Sequence, residues 1–142
     1  AYNHLLGQSP VMVFAVPAQA AKLKKGFPQS LNGAPVLWPG EGTVLRRQLD
    51  DWVQRAGLVP RIVGEFDDSA LLKAFGEHGA GAFVAPAVLR AELKQKHGVV
   101  PVATVPDVHE RYYAISPERR ITHPAVAAIA DLARARVFPA HE

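Results

Sequence analysis

The 142-residue chain contains no cysteine. That excludes disulfides and thiolate metal sites, and it is the composition a reducing cytoplasm favours. No apolar run approaches the length of a membrane span, and residues 1–7 show neither the basic start nor the long apolar core of a secretory signal. A cytoplasmic protein with no membrane partner is therefore expected. The six histidines (His4, His78, His97, His109, His123 and His141) are dispersed, and none belongs to an H-E-x-x-H or H-x-x-x-H pair. The sequence has no Gly-x-Ser-x-Gly elbow and no glycine-rich loop ending in Lys-Ser/Thr. Neither an enzyme, a resident metal nor a cofactor is expected. Helix-turn-helix, zinc-finger and RNA-recognition signatures are lacking as well, and the formal net charge is only +3, spread over scattered basic pairs such as Arg46-Arg47 and Arg119-Arg120. A solvated surface explains such pairs better than a face that tracks phosphates, so this stretch is not expected to read DNA itself.

What is present is an α/β pattern with 49% hydrophobic residues, enough to bury a core. The apolar run 11–16 reads as a buried strand. Pro17 opens a short helix over 18–25, closed by Gly26, and a small strand at 36–38 sits inside a glycine- and proline-punctuated loop. Thr43 caps a helix over 44–56 that Gly57 ends. Leu45, Leu49, Trp52 and Val53 form its apolar stripe, while Arg46, Arg47, Asp50 and Gln54 are expected to face water. A strand at 62–63 leads into the central segment, G-E-F-D-D-S-A-L-L-K-A-F-G-E-H-G-A-G-A-F-V-A-P, residues 64–86. There Asp67, Asp68 and Ser69 offer capping oxygens, and Ala70, Leu71, Leu72, Ala74 and Phe75 supply the expected buried face. Gly79 and Gly81 are expected to end the helix through left-handed backbone. A buried strand over 82–85 follows, and Pro86 starts a helix running to about His97. Strands at 99–105 (an edge, given Pro101) and 111–115 come next, then a Ser116-Pro117-Glu118 turn. Thr122 caps a last helix from Pro124 to about Arg136 with the stripe Val126, Ile129, Ala130 and Ala133. Alternating strands and helices call for a mostly parallel sheet.

Gly79-Ala80-Gly81 lacks the third glycine of a dinucleotide fingerprint, and a strand follows it where one should precede. Asp67 and Asp68 read as helix caps better than as paired catalytic carboxylates. The loop Trp38-Pro39-Gly40-Glu41-Gly42-Thr43 is the stronger ligand candidate. It ends at a helix N-terminus, where free N–H groups and the Thr43 hydroxyl can meet a polar ligand and glycines let backbone approach closely. Glu65 lies at a strand-to-helix edge, where open α/β sheets place ligands.

The capped Ser69 helix followed by Gly79-Ala80-Gly81 and a short apolar run to Pro86 resembles the effector-binding domain of LysR-type transcriptional regulators. The segments L-L-G-Q-S-P-V-M-V-F-A and K-G-F-P-Q-S-L-N-G-A-P are most similar to family members that regulate sodium/proton antiporter genes. The resemblance covers nearly the whole chain. It implies a type II periplasmic-binding-protein-like fold of two α/β lobes joined by crossing strands. Residues 1–14 would be the end of lobe I and the first crossing strand, 15–110 lobe II, and 111–142 the second crossing strand and the helix returning to lobe I. The winged helix-turn-helix and the first half of lobe I would lie outside this chain. It further implies an effector site at Pro39, Gly40, Thr43, Glu65 and Phe66, taking a small molecule or sodium, with Glu41, Glu65 and carbonyls as oxygen donors under an alkaline or sodium signal. The implied partners are a homo-oligomer, formed through helices 17–25 and 69–78, and DNA reached only through the absent domain. A solute-binding protein of transport shares this fold and is the alternative reading.

Overall fold

The computed structural model describes residues 1–121 and 123–137. Its contacts divide into two compact units, one comprising Pro10–Val108 and one comprising Ala1–Ser9 with the chain from His109 onward. Five strands, β1 (Tyr2–Ala15), β2 (Pro35–Pro39), β3 (Arg61–Phe66), β4 (Ala82–Pro86) and β5 (Val100–Ser116), form one sheet in the order β3-β2-β4-β1-β5. The helices are α1 (Pro17–Lys24), α2 (Val44–Ala56), α3 (Ser69–Glu77), α4 (Arg90–His97) and α5 (Pro124–Leu132).

In the larger unit, β2 pairs parallel with both β3 and β4. β1 pairs antiparallel with β4, Val13 opposite Val84 and Phe14 opposite Phe83, so the sheet is mixed where mostly parallel pairing was expected. All five residues of β4 are buried, because strand side chains alternate between faces and both faces here are covered. One face carries Val11, Val13, Val36, Trp38, Ala82 and Val84 against Ala20 and Leu23 of α1 and Leu49 and Trp52 of α2. The other carries Phe14, Leu37, Phe83 and Ala85 against Leu72 of α3 and Leu93 of α4. Each fully buried Leu or Phe contributes about 1.5–3 kcal/mol, so these two layers hold the unit together.

Several local expectations hold. Pro17 opens α1, Thr43 caps α2 and Gly57 ends it, and Asp68 caps α3 by accepting from the backbone N–H groups of Ala70 and Leu71. Others are corrected. On α3 the buried stripe is Leu72 and Gly76, while Ala70, Leu71 and Phe75 are exposed. The Phe83 ring occupies the space that a side chain at position 76 would need, and that turns the helix one residue away from the stripe read in the sequence. Pro86 ends β4 instead of opening a helix; a 3-10 turn, Ala87–Leu89, intervenes before α4. The two strands expected at 99–105 and 111–115 are one, β5, which passes through Pro106 and then Asp107 at φ 60°. Its position at the sheet edge tolerates the prolines, as expected from Pro101.

In the smaller unit, Arg134 Nε donates to Leu5 O at 2.8 Å, and Ser116 Oγ accepts from the Glu118 N–H at 3.0 Å in the predicted turn. On α5, Ala130 is buried while Val126 and Ile129 are exposed, and the helix passes into a π-helical turn, Ala133–Val137. His123 occupies the N-cap position without a side-chain cap; the capping role read for Thr122 lies outside the described residues.

Gly79 and Gly81 serve different needs. Gly79 has φ 78° and accordingly turns the chain out of α3. Gly81 does not have positive φ; a Cβ there would stand 2.9 Å from Pro35 O, so glycine lets β4 approach β2. Gly81→Ala must therefore displace backbone. It is expected to cost up to about 3 kcal/mol, more than the roughly 1–2 kcal/mol of Gly79→Ala, where only left-handed conformation is at issue; urea denaturation of both variants checks the order.

Candidate functional site

The parallel strands β2 and β3 both end, in chain direction, at the same edge of the larger unit, with Pro39 opposite Phe66. Carbonyls and N–H groups leaving these strands have no further ladder to join, so the loops must satisfy them. Gly40 N–H does this by donating to Phe66 O at 2.9 Å, which ties the β2–α2 loop to the β3–α3 loop. Gly40 is buried, and the Asp67 carboxylate packs directly where a Cβ would project. A side chain at position 40 would have to push the Asp67 carboxylate aside, while the Phe66 carbonyl, 3.6 Å away, leaves it room.

Thr43 closes the next link. Its hydroxyl donates to Gly40 O at 3.1 Å and accepts from Arg46 N–H at 3.1 Å. The hydroxyl thus serves the helix cap and fixes the loop in place.

Arg46 is the residue that sequence reading placed on the wrong side. Expected to face solvent, its side chain is only 8% exposed. Nε donates to Asp50 Oδ1 at 3.0 Å and Oδ2 at 3.1 Å, Nη1 to Pro39 O at 2.9 Å, and Nη2 to Glu65 Oε1 at 3.4 Å. Burial by itself works against the charged guanidinium, but the hydrogen bond and charge of Asp50, with Glu65 adding to them, outweigh it and hold the group above its ordinary value. The arginine stays charged, and its fork fixes one strand carbonyl and two carboxylates at once. The available sequence signal was the Arg46/Asp50 spacing of four, one turn past the Thr43 cap, but that spacing occurs equally on exposed helix faces.

The structure therefore brings Pro39, Gly40, Thr43, Glu65 and the Phe66 carbonyl into one hydrogen-bonded network through Arg46. Glu65 keeps 46% of its side chain exposed beyond the Arg46 contact. The Phe66 ring leans back over Gly64, where a Cβ would stand 2.8 Å from it, and packs on Phe75 with ring centroids 5.2 Å apart. Glu41 is exposed on the turn before Gly42. Chemically the wall offers backbone carbonyls, one half-exposed carboxylate and an aromatic ring. Its single buried cation is already matched by anions.

The family model described as "LysR substrate binding domain" matches residues 2–137. The chain is 40% identical over 115 residues to "Transcriptional activator protein NhaR" of Escherichia coli (strain K12), covering 81% of this chain and 38% of that protein, and equally to the NhaR of Shigella flexneri. It thus spans about two fifths of the length of the curated relatives it matches. Among solved structures, the effector domain of AmpR from Pseudomonas aeruginosa has a TM-score of 0.67 at 21% identity, covering 95% of this chain and 63% of that one. The effector-binding domain of QuiR in complex with shikimate has a TM-score of 0.65 at 16% identity, covering 94% and 64%. The regulatory domain of HypT from Salmonella typhimurium, apo form, has 0.67 at 19%, covering 94% and 66%. These likenesses show the fold: the type II periplasmic-binding-like effector domain expected from the sequence.

Arg46→Met leaves a part-buried carbonyl and two partly exposed carboxylates without their shared partner. It is expected to cost about 2 kcal/mol in urea denaturation. Arg46→Lys recovers only part of this, because an ammonium cannot make the fork. Asp50→Asn or Glu65→Gln alone costs under about 1 kcal/mol.

Proposed function

The chain belongs to the LysR substrate-binding domain family, and from that premise we propose that it is the effector-sensing part of a DNA-binding transcription regulator. The observation that carries the reading is the family match across residues 2–137, joined by a 40%-identical relative that is a transcriptional activator. That relative favours regulation over the solute-transport alternative. DNA contact, in this reading, is made by a domain outside this chain, and the protein works in the cytoplasm as a non-enzymatic sensor.

We assign lobe II to 15–110 and the lobe I portion to 1–14 with 111–142. The contact division at Ser9/Pro10 and Val108/His109 supports that assignment to within a few residues. The effector-facing wall of lobe II is Pro39, Gly40, Thr43, Glu65 and Phe66, with Arg46 holding it in place. An effector bound there acts only as far as it binds one conformational state better than another.

The effector class best matched to this wall is an oxygen-seeking ligand: sodium, or a small molecule with N–H or O–H donors. Glu65 and the loop carbonyls supply acceptors, and the wall's arginine is already neutralised by Asp50 and Glu65. In the full-length regulator, sodium is expected to raise the melting temperature and the affinity for promoter DNA relative to potassium at equal ionic strength, with Glu65→Gln removing the difference. Equal behaviour in the two salts would exclude the ion.

A homo-oligomer follows from the family. Of the two helices expected at its surface, α3 presents Leu71 and Phe75, each about half exposed. The double variant Leu71→Glu with Phe75→Glu is expected to lower the oligomeric state in sedimentation while leaving the far-UV spectrum intact.

A further inference from the structure

At the opposite ends of β2 and β4 from the wall just described, where Pro35 and Ala82 begin these strands, the larger unit has a cavity of about 440 Å³. Gln19, Lys22 and Leu23 of α1 form one side, the connection through Asn32 and Ala34 another, and Ala82 the floor. The size falls within the range of small-molecule sites. Gly33, at its margin, would meet no atom within 4 Å if it carried a Cβ, so this side of the cavity is open.

Three features distinguish it from a packing gap. Its walls combine apolar surface (Leu23, Ala34, Pro35, Ala82) with convergent polar groups, which is the make-up of a binding site. Its only charged lining residue is Lys22; no carboxylate lines it, in contrast to the wall bearing Glu65. Gln19, three residues before Lys22 and so on the same helix face, donates through Nε2 to Gly79 O at 2.7 Å, which fixes this wall beside the lysine.

We propose that this cavity is a second binding site, for a small organic carboxylate with an apolar body. The carboxylate meets the Lys22 ammonium at the rim and the body lies on Leu23, Ala34, Pro35 and Ala82. The site joins α1 to the entering ends of β2 and β4, so an occupant braces that end of the unit. It does not depend on the assignment of the Pro39–Phe66 wall.

Phenylacetate titrated into the ¹⁵N-labelled protein tests this, with 2-phenylethanol as the uncharged counterpart. Saturable shifts are expected at the N–H groups of Lys22, Leu23, Gly33 and Ala34, with weaker binding of the alcohol. Lys22 is exposed, so Lys22→Gln keeps the fold. It is expected to weaken phenylacetate binding roughly fivefold to tenfold without affecting the alcohol, and Lys22→Arg restores the acid's affinity. Ala34→Leu, which fills the cavity, abolishes binding of both. The proposal is overturned if millimolar phenylacetate gives no saturable shifts, if the shifts centre on residues 39–43 and 64–67, or if Lys22→Gln binds the acid as tightly as the parent.

Discussion

A single guanidinium sets the geometry of the strands' leaving edge. Arg46 enters the core side of α2 one turn after the Thr43 cap and there meets the Pro39 carbonyl, the Asp50 carboxylate and the Glu65 carboxylate. A charge this buried persists only when matched by anions and hydrogen bonds. The matching also locks helix α2, strand β2 and strand β3 to one another. The loop bearing Gly40 then has little freedom: its N–H is held by Phe66 O and its O by the Thr43 hydroxyl. The wall is rigid because each of these polar groups is engaged, and Glu65, the second lone pairs of the loop carbonyls and the half-buried Phe66 ring are what is left to meet a ligand.

The same unit shows how glycine positions strands as well as turns. Gly81 brings β4 against Pro35 at the head of β2, and Gly40 brings the two loops together at the far end. Between these points the fully buried β4 divides the hydrophobic core into two layers, with Val84 facing α1 and α2 and Phe83 facing α3 and α4. Phe83 in turn takes the space over Gly76 and rotates α3, which is why Leu71 and Phe75 are left half exposed. One aromatic ring therefore links core packing to the half-exposed face of α3.

The two ends of the sheet differ in chemistry. The leaving ends of β2 and β3 gather acidic and carbonyl oxygens around a neutralised arginine. The entering ends of β2 and β4 border a cavity whose only charged liner is a lysine. The two proposed sites therefore favour ligands of opposite charge.

Helix ends were readable from local chemistry alone. Pro17, Thr43, Asp68 and Gly57 act within a few residues of themselves, and their capping or terminating roles need no knowledge of the rest of the fold. That the β2–α2 junction is a glycine-bearing loop leading into a Thr-capped helix was also legible. Three matters had to wait for tertiary structure: which face of α2 Arg46 occupies, which stripe of α3 is buried, and why position 81 must be glycine. Each is decided by an atom far away along the chain (Glu65 for Arg46, the Phe83 ring for α3, Pro35 O for Gly81), and periodicity within one segment carries no record of what another segment brings to its side.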